Sequence, residues 1–145
     1  MLKSAAQRVL KTVHLYERAK TSCVYDLFWR VADRRIIDER SREMGFYRSL
    51  LVGFRKGDLI FDIGANNGFK TDIFLRLGAR VVAVEPDKSN QIVLADKFLK
   101  YRMIKKPVSI VAKAVSNKTG RETLWINEPG SAKNTLNLGR GIASQ

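Results

Sequence analysis

The chain has one cysteine and one histidine in 145 residues, Cys23 and His14. A lone thiol excludes an internal disulfide, and no Cys/His spacing of the zinc-binding kind is present, so no metal site is expected. An unpaired thiol suits a reducing compartment, which makes a cytoplasmic setting the expectation. His14 lies far in sequence from the glycine-bearing turn and reads as an ordinary helix-face residue. No apolar run reaches the roughly 18 residues that a membrane-crossing helix needs. A secretory signal is not expected either, because the N-terminal stretch lacks a continuous apolar core and a small-residue cleavage site. Acids are scarce, 14 against 27 Lys and Arg, giving a net charge of +13, and none precedes Glu17. Such basicity admits anionic membranes, acidic substrates or nucleic acid. Nucleic acid is the least favoured of these partners, because no binding motif is present and the aromatics do not interleave with the basic residues.

What the chain does have is a globular balance, 45% hydrophobic and 28% charged residues, over a length that suits one core. Its most informative stretch is Asp58 to Asp87, DLIFDIGANNGFKTDIFLRLGARVVAVEPD. The apolar run Leu59-Ile60-Phe61 leads to Asp62 and then to the turn Gly64-Ala65-Asn66-Asn67-Gly68. Phe69, Ile73, Phe74 and Leu77 then recur at helical spacing, so the order is strand, tight turn, helix. Gly78 suits the left-handed residue that ends a helix, and Val81-Val82-Ala83-Val84 form a second strand stopping at Glu85-Pro86-Asp87. The unit is β-α-β, with a parallel pair and a right-handed crossover.

Open α/β sheets bind ligands beyond the carboxyl ends of their strands. Gly64 and Gly68 remove side chains where backbone must approach a ligand, and Asn66 tolerates the left-handed conformation. Glu85 is placed to accept hydrogen bonds from the paired hydroxyls of a ribose, which points to a nucleoside. The turn offers G-x-N-x-G rather than G-x-G-x-x-G, which weakens an NAD-dependent oxidoreductase, and Phe69 before Lys70-Thr71 weakens a P-loop. Asp62 before the glycines would repel a pyrophosphate but suits a ligand with an ammonium group, such as the methionine part of S-adenosylmethionine.

FDIGANNGFKT followed by VVAVEPD resembles the first two motifs of class I S-adenosylmethionine-dependent methyltransferases. More narrowly it resembles the FkbM-type family, whose turn typically reads DIGAN-x-G and whose second strand ends in EPD. The likeness runs from about Gly57 to Asn137. It implies a Rossmann-like α/β fold with a parallel sheet and S-adenosyl-L-methionine as cofactor. The activity it implies is methyl transfer to an oxygen of a small-molecule or carbohydrate acceptor by in-line displacement. The cofactor-binding set it implies comprises Asp62, Gly64, Ala65, Asn66, Gly68 and Thr71 around the turn, Glu85 and Pro86 after the second strand, and Ala114 and Val115 beside the adenine. Asn66 stands where the wider superfamily often has glycine, whereas within the narrower family Asn is usual. No general base is assigned, since Asp62 and Glu85 are expected to be engaged by the cofactor. The alternative is a truncated, inactive cofactor-binding or interaction module.

Residues 1–56 read as a helical segment ahead of this stretch. Leu2, Ala6, Val9, Val13 and Tyr16 fall at three- and four-residue steps among basic residues, an amphipathic helix expected to pack on the domain, with peripheral membrane contact as its alternative. Two more helices are expected from Val24 to Leu51, broken near Gly45, with Phe46 and Tyr47 as core aromatics and the wall of an acceptor pocket as the alternative. Beyond Asp87, Ser89 is expected to cap a helix reaching about Tyr101, buried on Ile92, Val93, Ala95, Phe98 and Leu99. Lys97, Lys100, Arg102, Lys105 and Lys106 read as a solvated helix end favoured by the helix dipole. Val108 to Val115 reads as a third parallel strand, and Glu122 to Asn127 as a hairpin strand returning along it. Leu138 to Gln145 has no strand or helix pattern, whereas the family continues with another strand and the rest of its sheet. The expectation is a partial S-adenosylmethionine-binding domain over 57–145, truncated after the third strand and its hairpin, whose open edge invites self-association.

Overall fold

The structure is a computed structural model that describes residues 16–103, 107–121 and 123–126. Helices α1 (Tyr16–Ala19), α2 (Cys23–Ala32) and α3 (Arg34–Leu50) precede β1 (Leu59–Ile63), α4 (Phe69–Leu77), β2 (Arg80–Val84), α5 (Lys88–Lys97), α6 (Leu99–Met103) and β3 (Val108–Val111). His14, most of the expected N-terminal helix and the chain from Asn127 onward lie outside the described residues. The three strands are parallel in the order β1-β2-β3, with Ile63 opposite Val84 and Val84 opposite Val111. The architecture is α/β and compatible with a Rossmann-like arrangement.

Alternation along the strands decides where the core sits. Ile60 and Val81 pack with Ile73 and Phe74 of α4, while Ala83, Val108 and Ile110 pack with Leu94 and Phe98 of α5. Both crossover helices therefore cover the same face of the sheet. On β1 the opposite face is bare, with Leu59, Phe61 and Ile63 exposed by 48%, 60% and 53%. Helix α4 ends as its glycine suggests. Gly78 takes a φ of 94°, its N–H donates to the Leu75 carbonyl, and the Ala79 N–H donates to Phe74, closing the last turn.

Helix α1 packs on α5, where Arg18 donates to Asp96 at 2.5 Å, while α2 and α3 gather outside α4. Tyr47 of α3 meets the Phe74 ring edge-on, with centroids 4.9 Å apart. Beside that contact Asp26 of α2 accepts from Arg40 of α3 at 2.5 Å and from Arg76 of α4 at 2.7 Å. Arg76 also reaches Asp72 one turn earlier at 2.9 Å, and Arg40 lies 3.7 Å from the same carboxylate. Burial pulls the Arg76 guanidinium down, and Asp72 and Asp26 more than offset it, holding the group above its ordinary value.

Several expectations are corrected, among them that Phe46 is a core aromatic, since it is 57% exposed. The helical break falls at Asp33 rather than near Gly45. Asp33 is extended at φ −163° and its carboxylate accepts the Arg35 N–H, so a capping acid ends one helix and starts the next, whereas Gly45 lies within α3 at a cost of about 1 kcal/mol. The cap of α5 is Asp87, whose Oδ1 accepts the Ser89 N–H at 2.8 Å, and the helix stops at Lys97 before the separate α6. Its buried residues are Asn90, Leu94 and Lys97, followed by Phe98, while Ile92 is 63% exposed. Strand β3 ends at Val111 instead of Val115, because the Lys113 N–H turns back to the Val111 carbonyl at 3.0 Å. Over the expected hairpin strand, the described residues show only a single bridge, at Trp125.

Phe74 fills the gap between sheet and α3, so Phe74→Ala is expected to destabilise the chain by about 3–5 kcal/mol, measured as a lower urea midpoint. A second prediction concerns Tyr101, half-buried on α6. Burial, and next the negative charge of Asp72, push its phenol above the ordinary value of 10.0. The proton is bound more tightly in the folded chain, so this stabilisation is complete below the ordinary value and is lost as pH rises through the folded one. Tyr101→Phe is expected to flatten the alkaline fall in urea midpoint between about pH 9 and about pH 11.

Candidate functional site

The glycine-bearing turn between β1 and α4 lies at the carboxyl ends of the strands, and its backbone is stitched to β2. The Gly64 and Ala65 N–H groups both donate to the Val84 carbonyl, at 2.9 and 3.1 Å. Asn66 takes a φ of 48°, the only positive value at a described non-glycine residue, which aims its N–H at Glu85 Oε2, 2.7 Å away. The Gly68 N–H closes the turn on the Ala65 carbonyl at 2.8 Å, and the Phe69 N–H is taken by Asn67 Oδ1 at 3.1 Å.

Two carboxylates flank this turn. Asp62, 6% exposed near the end of β1, accepts the hydroxyl of Thr71 in the first turn of α4 at 2.5 Å. Glu85, 5% exposed just past β2, accepts the Asn66 N–H on one oxygen and the Asp87 N–H on the other, at 2.9 Å. Gln91 adds a clasp from α5, its amide donating to the carbonyls of Glu85 and Pro86. The site therefore carries negative charge on side chains, while four of the turn's amide hydrogens, and that of Phe69 at the start of α4, are satisfied within the protein. A phosphate cradle requires the reverse, amide hydrogens directed outward.

The two glycines at the ends of the turn serve different purposes. A Cβ on Gly64 would meet nothing within 4 Å, so this position leaves the mouth of the turn open. A Cβ on Gly68 would stand 2.6 Å from Leu94 and 2.7 Å from Phe98, so its missing side chain admits α5 rather than a ligand. Gly64 is required by its φ of 75°, and Gly68 both by its φ of 72° and by the approach of α5.

Among the residues expected to bind cofactor, Asp62, Gly64, Ala65, Asn66, Gly68, Thr71 and Glu85 are brought together through these bonds, with Pro86 half-buried beside them. Ala114 and Val115 are not joined to the group. Both are exposed on the loop after β3, and Ala114 lines a cavity of about 550 Å³ with Lys113, Ser116, Lys118, Thr119, Gly120 and Arg121, none of which belongs to the turn.

Lys97 is the residue that sequence reasoning misplaced. It is 5% exposed rather than solvated, and its Nζ donates to the carbonyls of Asn67 and Gly68 at 2.9 and 3.0 Å. The available signal was its spacing from Asn90 and Leu94, seven and three residues back, which puts it on the buried stripe of α5.

Gly68→Ala forces both a left-handed alanine and a clash with α5, and is expected to cost about 2–4 kcal/mol; Gly64→Ala, with the conformational term alone, costs about 1–2 kcal/mol. Urea midpoints of the two variants check the order.

Comparison of this chain with protein-family models, with curated proteins and with solved structures found no match in any of the three.

Proposed function

We propose that this chain binds S-adenosyl-L-methionine and serves methyl transfer to an oxygen of a small-molecule or carbohydrate acceptor. The observation that carries this reading is the inverted polarity of the turn. Its amide hydrogens go to Val84, Ala65, Asn67 and Glu85, and two buried carboxylates stand on either side. A sulfonium and an ammonium are attracted by such a site, whereas a pyrophosphate is repelled. Gly64 opens the mouth of the turn to a flat ligand.

When bound, the cofactor supplies the reactive methyl group; the chain's residues bind and orient it. An ionised carboxylate has about four acceptor sites, so Glu85 retains capacity for ribose hydroxyls beyond its two amide bonds. Asp62 likewise keeps capacity for a cation after accepting from Thr71. Orientation of a bound reactant supplies much of the rate in a displacement of this kind. A cytoplasmic setting belongs to the same proposal, from the lone Cys23 thiol. Among the described residues no helix is long and apolar enough to cross a membrane.

A second reading, a binding module without turnover, is favoured by the bare face of β1. Leu59, Phe61 and Ile63 form an apolar strip on an outer strand, which association with a second copy or another protein would cover. Turnover by this chain alone, assayed across sugars and small hydroxy acids, would exclude it.

Calorimetry is expected to show binding of S-adenosylmethionine and of S-adenosylhomocysteine, with NAD not bound. NAD binding without either would overturn the proposal. Glu85→Ala is expected to weaken S-adenosylhomocysteine by about tenfold or more, since hydrogen bonds to a charged acceptor contribute roughly 1.5–3 kcal/mol each. Affinity within twofold of the unsubstituted chain would remove Glu85 from the site.

A further inference from the structure

The cation beneath the turn has no part in the reading so far. An ammonium out of water is costly unless it is well partnered, and Lys97 meets the carbonyls of two successive residues, Asn67 and Gly68, with the Phe98 ring centroid 5.5 Å away. Those carbonyls belong to the part of the turn that is hardest to hold. Asn66 has a φ of 48°, a conformation that a non-glycine residue keeps only when neighbouring structure enforces it, and it is followed by Gly68 at a φ of 72°, which glycine adopts freely and can as readily leave. Helix α5 presses on the same point from behind, because Leu94, Lys97 and Phe98 follow one another at three- and four-residue spacing and all meet the turn at or beside Gly68. The apolar pair fixes how close the helix comes. Lys97 fixes which way the peptide groups point, and with them the Gly68 N–H that closes the turn on Ala65.

We propose that Lys97 is a positioning residue of the site: acting through the Asn67 and Gly68 carbonyls, it holds the turn in the conformation that receives the nucleoside. The proposal rests on the reading of this turn as the S-adenosylmethionine site. It assigns Lys97 no contact with ligand and no chemical step.

The test uses the full chain carrying Lys97→Met, Lys97→Gln or, as a control, Lys100→Met, whose lysine is exposed on α6. Three quantities are measured: S-adenosylhomocysteine affinity by calorimetry, the urea midpoint, and hydrogen exchange of the Gly68 and Asp72 amides in the unliganded chain. Lys97→Met is expected to weaken binding about tenfold or more and to speed exchange at Gly68. Its urea midpoint is expected to change little or rise, because an apolar chain of similar length replaces a buried charge. Lys97→Gln retains an N–H donor and is expected to recover part of the affinity. Lys100→Met is expected to match the unsubstituted chain. Affinity and midpoint falling together would mark a purely structural role and overturn the proposal, as would unchanged exchange at Gly68 in Lys97→Met or global unfolding of both Lys97 variants. If the unsubstituted chain binds no S-adenosylhomocysteine, the cofactor reading fails by itself, and the exchange rates still decide whether Lys97 holds the turn.

Discussion

The Glu85 carboxylate joins three parts of the molecule at one point. One oxygen accepts from Asn66 in the turn after β1, the other from Asp87 at the start of α5, and the residue itself directly follows β2. A buried carboxylate left without such donors would be strongly unfavourable, so its presence requires both amides to face it. That requirement sets the backbone of Asn66 in the left-handed region and brings the N-terminus of α5 against the second strand. Helix α5 then runs back along the sheet and delivers Leu94, Lys97 and Phe98 to the far side of the same turn. The turn is held by an anion at one end and a cation at the other.

The helices ahead of β1 act on this arrangement from a distance. Through Asp26, Arg40, Asp72 and Arg76, α2 and α3 bind the outer side of α4, the helix that begins at the turn, while α1 reaches α5 through Arg18 and Asp96. Two acids facing two arginines leave no net charge, and the partial burial of the group makes loss of one member more costly than loss of a surface pair. Asp72 Oδ1 is buried without a hydrogen-bond partner, so the cluster still carries an unsatisfied acceptor. The bare face of β1 lies across the sheet from all of these contacts, which is why packing of the N-terminal helices does nothing to cover Leu59, Phe61 and Ile63.

Much of this was legible in order along the chain. The apolar runs at Leu59 and Val81, the helical spacing from Phe69 to Leu77, and Gly64, Asn66, Gly68 and Gly78 determined a strand-turn-helix-strand unit with its left-handed residues in place. These features rest on local constraints, alternation and positive φ, that a residue obeys whatever lies around it. The acids Asp62 and Glu85 were equally visible, because a polar residue that interrupts or follows an apolar run marks the neighbourhood of a strand's carboxyl end; Asp62 proved to be the fourth residue of β1 and Glu85 the first beyond β2.

Tertiary structure decided the matters that depend on what meets what. Lys97 looked like one cation among several at a helix end, and only the approach of α5 to the turn turned it inward. Gly68 looked like an opening for ligand, and only the positions of Leu94 and Phe98 showed the space to be filled by protein. The end of β3 at Val111, short of the end of the apolar run, came from a local bond that competes with the sheet ladder and left Ala114 and Val115 on a loop. By itself the sequence determined the β-α-β unit and the acids that border its turn, because strand period, helix period and glycine conformations act over a few residues. Which groups back that turn and which face it lacks were set only by the packing of elements tens of residues apart, since burial depends on distances that no local pattern encodes.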